Sequence, residues 1–295
     1  MDAARPSGSS LLSRLRWLFV LPFLIGLSGC GSLIAQATGD MADQLGQALL
    51  DHDDPATVAS ALPAYLVLLD SRVRQNPDDP SLLQSASALY GAYAGVFVHD
   101  PDRRRRLAAR ALDYARRGAC LWQERLCDLQ TLPFAELAPR LAALARADLP
   151  ALYTLGSAWA GWIEANTGDW TVIADLPRVK ALMQRVIALD EGWQHGNAHL
   201  YLGVMASLVP PAMGGKPEEA RAHFEKAIAL SGGRNLTARV LYARYYARLV
   251  FDRKLYERQL HRVLDADPHA PGLTLLNMLA RQQARRLLAE AEDYF

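Results

Sequence analysis

Of the chain's three cysteines, Cys30 stands in the context that most constrains its chemistry. It closes the run Leu27-Ser28-Gly29-Cys30, behind the apolar stretch Trp17 to Leu27 and the basic residues Arg5, Arg14 and Arg16. A stretch of about eleven apolar residues falls short of the roughly twenty that span a bilayer, and it fits the core of a signal peptide. A thiol flanked by small side chains is what lipid transfer requires: the sulfur accepts the diacylglycerol, and a peptidase encloses the small neighbours. Residues 1–29 therefore read as a lipoprotein signal peptide, Cys30 as the lipid attachment site, and 30–295 as one domain. Gly31, rather than Asp, follows the cysteine. By likeness to other bacterial lipoproteins this favours the periplasmic face of the outer membrane. Several acyl chains hold firmly, because each buried methylene is worth about 0.8 kcal/mol. Export excludes ATP-dependent chemistry and most nucleic-acid roles.

Cys120 and Cys127 stand seven residues apart. On one straight helix that spacing is roughly 10 Å along the axis, beyond the reach of a disulfide. A bridge requires the helix to end near Leu121 to Arg125; otherwise the two are buried thiols. The spacing is not the C-x-x-C of a redox catalyst.

Other reactive residues lack partners in sequence. His195 and His199 are one helical turn apart, but Gly196 and Asn197 follow the first and no H-E-x-x-H pattern or third ligand accompanies them. They read as helix-packing histidines, with no metal site. Asp51-His52-Asp53-Asp54 lacks the twelve-residue calcium-loop pattern. The chain holds no G-x-S-x-G and no phosphate-cradling glycine loop, so neither an enzyme nor a cofactor is expected. Arg103 to Arg106 would spread around a helix and make no single basic patch. With a net charge of +1, nucleic acid is not expected as a partner.

The elements that must position any site are helical. With 51% hydrophobic and 21% charged residues the chain can fill a sizeable core. Apolar residues recur at three and four in Leu107, Ala111, Leu112 and Ala115, in Val179, Leu182, Met183 and Val186, in Ala220, Phe224 and Ala227, and in Leu260, Val263 and Leu264. Each such stripe needs a partner surface. Breakers separate them: Asn76-Pro77-Asp78-Asp79-Pro80, with Ser81 as the expected cap, then Asp100-Pro101, Gly168-Asp169, Gly214 to Pro217, Gly232-Gly233 and Asp267-Pro268.

Aligning the second helices on Leu112, Met183, Phe224 and Leu260 gives intervals of 71, 41 and 36 residues. The shorter two approach the 34-residue tetratricopeptide period, and the first leaves room for an irregular unit around Phe134 to Leu149. The predicted fold is all-α: degenerate tetratricopeptide-like helical hairpins with extra terminal helices. In such a repeat the first helix lines the inner face. Placing its glycine at Gly91 puts Ala88, Ala92 and Gly95 there. Gly156 puts Tyr153, Ser157 and Ala160 there, and Gly203 puts Leu200, Val204 and Ser207. These small or apolar residues form either a groove for a hydrophobic ligand or partner, or core covered by the C-terminal helices.

The stretch Met213 to Ile228, the run Phe251-Asp252-Arg253-Lys254-Leu255-Tyr256, Val263 to Pro268 and Asn277 to Leu288 together resemble the T-component of tripartite ATP-independent periplasmic (TRAP) transporters. With the lipobox and Pro63 to Asp79, the resemblance covers most of the mature chain. It implies a periplasmic lipoprotein of degenerate repeats that self-associates as a homotrimer, binds the transporter's solute-binding protein and handles a hydrophobic small molecule. The rival reading is a generic tetratricopeptide scaffold lipoprotein in outer-membrane assembly or envelope maintenance.

Overall fold

Asp-Pro pairs set the rhythm of the first helices. In α1 (Pro55–Gln75), α2 (Pro80–Val96) and α3 (Pro101–Trp122), proline takes the first helical position, and the Asp before it accepts from the free N–H groups of the first turn. Asp79 does this for α2, accepting from Ser81 and Leu82 at 2.9 and 3.0 Å. Asp79, not Ser81, is thus the cap, because Pro80 occupies the first position and Ser81 is already inside the turn.

The structure, a computed structural model, describes residues 46–213 and 215–295. Cys30, the segment 1–29 and Gly214 lie outside the described residues. The chain divides into two compact units, 1–50 and 51–295. Of the first, only the helical residues 46–50 are described.

The second unit is built from helices, with no strand among the described residues. After α3 come α4 (Phe134–Ala142), α5 (Leu149–Ala165), the single turn α6 (Trp170–Ile173) and α7 (Leu176–Leu189). Then follow α8 (Asn197–Ala206), α9 (Pro217–Leu230) and α10 (Leu236–Leu241), which runs on as a π-helix over Tyr242–Ala247. Helices α11 (Arg253–Asp265), α12 (Thr274–Ala289) and α13 (Ala291–Tyr294) complete the chain. Successive helices pack as pairs: α2 on α3, α5 on α7, α8 on α9, and the α10 segment on α11. The opening helix of each pair also packs on the pair before it. Helix α4 lies in the long first interval and packs on α7.

Three opening-helix glycines face the second helix of their own pair, two at a residue on which the repeats were aligned and Gly91 at Ala111 instead of Leu112. A Cβ on Gly203 would stand 3.0 Å from the Phe224 ring, and one on Gly156 would stand 2.9 Å from Met183 Cε. A Cβ on Gly91 would meet Ala111 at 3.8 Å. Large residues thus fill the space that the missing side chains leave, as close packing demands. Two buried clusters result. One gathers Trp159, Leu155, Leu182 and Met183 from α5 and α7; the other gathers Phe224, Tyr242, Tyr256 and Leu260 from α9 to α11. Helix α8 feeds both, with Leu202 in the first and Leu200 in the second.

Polar groups fix the joints. Asp70 of α1 accepts from Tyr90 of α2 and from Tyr114 and Arg110 of α3, each at 2.8 Å. Burial and the adjoining Asp70 push the Tyr114 hydroxyl up to about 12, so it remains a donor at neutral pH. Near the far end, the fully buried Asn277 accepts from Leu236 N and donates to Arg234 O and Pro268 O, at 2.9 to 3.0 Å. Gly272 N donates to Asp51 at 2.5 Å, and α12 packs on α1, so the two ends of the unit meet.

Helix α3 stops at Trp122 and a 3-10 turn begins at Glu124, which brings Cys127 back onto Cys120. The two are joined in a disulfide with Cα atoms 4.5 Å apart. The loop closed is short, and chain entropy assigns such a link about 2 kcal/mol. The Cys120→Ser, Cys127→Ser double variant is therefore expected to melt about 5 °C lower while keeping its helical circular dichroism. An unchanged melting temperature would mean that the α3–α5 connection is held by packing alone.

Candidate ligand groove

Helix α5 presents Tyr153, Ser157 and Ala160 along one face, and α8 presents Asn197, Tyr201 and Val204 at the same spacing. All six are half-buried. The Tyr153 and Tyr201 rings meet edge to face, with centroids 6.3 Å apart and planes at 75°. Ser157 stands near the Tyr201 hydroxyl and Asn197 near that of Tyr153, each easing the ionisation that burial opposes. Glu164, from the end of α5, supplies negative charge to both Tyr201 and Tyr245 of the π-helix.

Burial dominates the electrostatics of these tyrosines. Burial, only partly offset by Asn197 and Tyr201, pushes the Tyr153 hydroxyl up to about 12. Burial, the neighbouring Tyr153 and the Glu164 charge push Tyr201 well above its ordinary value. Tyr245 rises for the same first reason. Their close packing against neighbouring side chains, with part of each residue still exposed, accounts for these shifts. At neutral pH all three are neutral hydroxyls, able to donate or accept hydrogen bonds but unsuited to moving protons. Partly buried Trp162, Ala160 and Met205 pack against the same core. The face between α5 and α8 thus presents aromatic and aliphatic side chains with a few hydroxyl and amide groups, a composition suited to an apolar molecule with a polar end.

Tyr153, Ser157 and Val204 are half-buried where the sequence placed them. Leu200 and Ser207 are core: Leu200 joins the second cluster, and the Ser207 hydroxyl donates to Gly203 O of its own helix at 2.8 Å. Ala88 and Ala92 are exposed on α2. Sequence reasoning missed Tyr201, Asn197, Glu164 and Tyr245. The first two were within reach, since Asn197 and Tyr201 are one helical turn apart, but counting from Gly203 selected Leu200 instead.

The turn before α8 is wound the wrong way. Gln194, His195 and Gly196 all have positive φ, at 49°, 59° and 76°. Such backbone costs a non-glycine residue about 1 kcal/mol or more. It persists here because a Cβ on Gly196 would stand 2.7 Å from Leu230, so the chain crosses α9 in contact. The turn leaves His199 facing His223 of α9 and not His195, with the two Nδ1 atoms 2.8 Å apart. Burial holds both rings below their ordinary pKa, and in each case a nearby lysine, Lys226 or Lys180, adds to the effect while Glu191 or Glu219 opposes it. The contact needs one ring as donor and the other as acceptor, so double protonation breaks it. Among the described residues no group of three or more metal-ligating side chains gathers.

The family model described as TRAP transporter T-component matches residues 51–295. These are the residues of the second compact unit. An uncharacterized protein of Treponema pallidum (strain Nichols) is 25% identical over 274 residues, which covers 83% of this chain and 81% of that protein.

Two expectations follow from this geometry. Gly196→Ala adds both backbone strain and the Leu230 clash and should cost about 2–3 kcal/mol, read as a lower urea midpoint at unchanged slope. The histidine pair favours the unprotonated fold, so its stabilisation is whole above about pH 6.5 and is lost as pH falls through the lower folded values. Stability should drop between pH 7 and 5, and the His199→Gln, His223→Gln double variant should show a shallower drop; an identical slope would remove the pair from the account.

Proposed function

The chain belongs to the TRAP transporter T-component family, and from that premise we propose that it is a lipid-anchored binding module serving such a transporter. The family is one of transporter components, which supports a role in transport. In this reading Cys30 carries the lipid, the anchor lies in the outer membrane, and the described unit faces the periplasm. Its helix pairs are degenerate tetratricopeptide units, supported by the glycine contacts of Gly156 with Met183 and of Gly203 with Phe224. Its partner is the transporter's solute-binding protein, and its cargo a hydrophobic molecule with a polar end.

The observation that carries the reading is the half-buried Tyr153–Tyr201 pair, where aromatic rings and neutral hydroxyls stand together between two opening helices. An enzyme of acid–base type would need groups poised near neutral pH, whereas these tyrosines are driven away from it. The scaffold alternative draws on a different feature. The loop after α8 exposes Leu208, Val209 and Met213, a patch suited to another protein's apolar surface.

The test uses the full-length chain, solubilised in mild detergent, as bait in periplasmic extract of its own cells. Mass spectrometry identifies the captured proteins and the extracted small molecules. Recovery of a solute-binding protein is expected, together with an apolar ligand that falls about tenfold in Tyr201→Asp, a variant checked for native helicity. Capture of barrel-assembly or cell-wall proteins alone would replace the transporter reading with the scaffold one.

A further inference from the structure

A second cleft opens on a different wall of the molecule, between α9, the α10 segment with its π-helix, and α11. Its volume is about 370 Å³. Arg221, Arg239, Arg258 and Arg262 line it against only two carboxylates, Glu225 and Asp252. Both carboxylates are already engaged. Glu225 accepts from Arg221 Nε at 2.9 Å and from the Tyr242 hydroxyl at 3.0 Å. Asp252 caps α11 by accepting from Leu255 N at 2.8 Å.

Arg239, Arg258 and Arg262 are left with no carboxylate among the described residues. Arg239 is half-buried, and its Nη1 donates to Oε1 of the buried Gln259 at 2.9 Å, a neutral partner that leaves the charge unbalanced. Burial and the facing Arg262 both weaken the hold of Arg239 on its proton. A half-buried guanidinium beside a like charge is unfavourable unless an anion completes the site. The same Gln259 contact orients the carboxamide, whose N–H groups have no partner among the described residues and remain available as donors.

The backbone supplies an independent sign. Tyr242–Ala247 is a π-helix, a rare form that recurs at functional sites. Tyr242 and Tyr246 of this segment line the cleft, their rings tilted at 41° with centroids 5.3 Å apart, and Tyr242 stacks on Phe224 at 5.6 Å. Ile228 and Leu255 add apolar wall.

We infer that this cleft binds a small organic polyanion, held by Arg239, Arg258 and Arg262 through two or more carboxylate or phosphate groups. Guanidinium forks match either oxyanion in bidentate fashion, and the volume exceeds what a single carboxylate fills. The site is separate from the Tyr153–Tyr201 pair and does not depend on the transporter reading.

The test is calorimetric titration of the full-length chain in mild detergent at low salt, with citrate in one arm and inorganic pyrophosphate in the other. Binding in at least one arm is expected; citrate alone identifies a carboxylate ligand, and pyrophosphate alone a phosphate one. Arg239→Gln and Arg262→Gln should each weaken it about tenfold or more, while Arg285→Gln, on the exposed face of α12, should not. Arg262→Gln should melt no lower than the parent, since it removes a like charge from Arg239, so lost binding there cannot be blamed on unfolding. No heat in either arm, or equal weakening by Arg285→Gln, would overturn the site.

Discussion

Helix α8 has ten residues and two cores to serve. Ala198 and Leu202 enter the cluster built on Trp159 and Met183, while Leu200 enters the one built on Phe224 and Tyr256. His199 meets α9, and Tyr201 meets Tyr153 of α5. A helix so committed on every side cannot rotate by even one residue without exchanging one core's contents for the other's. The positions of the neighbouring pairs, and of the tyrosine contact between α5 and α8, follow from that restriction.

The strained turn ahead of α8 belongs to the same constraint. An ordinary right-handed approach would start the helix at another angle and move both sets of contacts. The left-handed residues Gln194 to Gly196 aim it instead, and the Leu230 contact and the Asn235–Asn197 hydrogen bond of 3.0 Å hold the turn in place. Local backbone energy is spent on pointing one short helix, and burial in two clusters compensates for it.

Much of the helical order was legible because it rests on short-range chemistry. Asp-Pro pairs, glycine runs and apolar stripes each act over a few residues, so the breaks before α2, α3 and α9 and after α11 can be read from the sequence. Legibility ended where the decisive partner is far away in sequence. Asp70 looks like any surface acid until Tyr90, Arg110 and Tyr114 converge on it. Leu200 and Tyr201 exchange inner and core roles because of a turn whose handedness no propensity gives. The π-helix at Tyr242 is invisible to a 3.6-residue period, and the arginines lining the second cleft are scattered over α9, α10 and α11.

The contact between the two ends of the unit has a thermodynamic consequence. In a stack of helix pairs where each touches only its neighbours, the terminal pairs have one interface and fray first, so unfolding spreads inward by degrees. Here α1 packs on α12 and Asp51 caps the turn at Gly272, so the first helix of the unit gains a second neighbour. Joining the ends turns a ladder of partial unfolding steps into something closer to one transition, in which no pair leaves without breaking two interfaces. Within residues 51–295, neither α1 nor α12 is left with a single neighbour from which opening could begin.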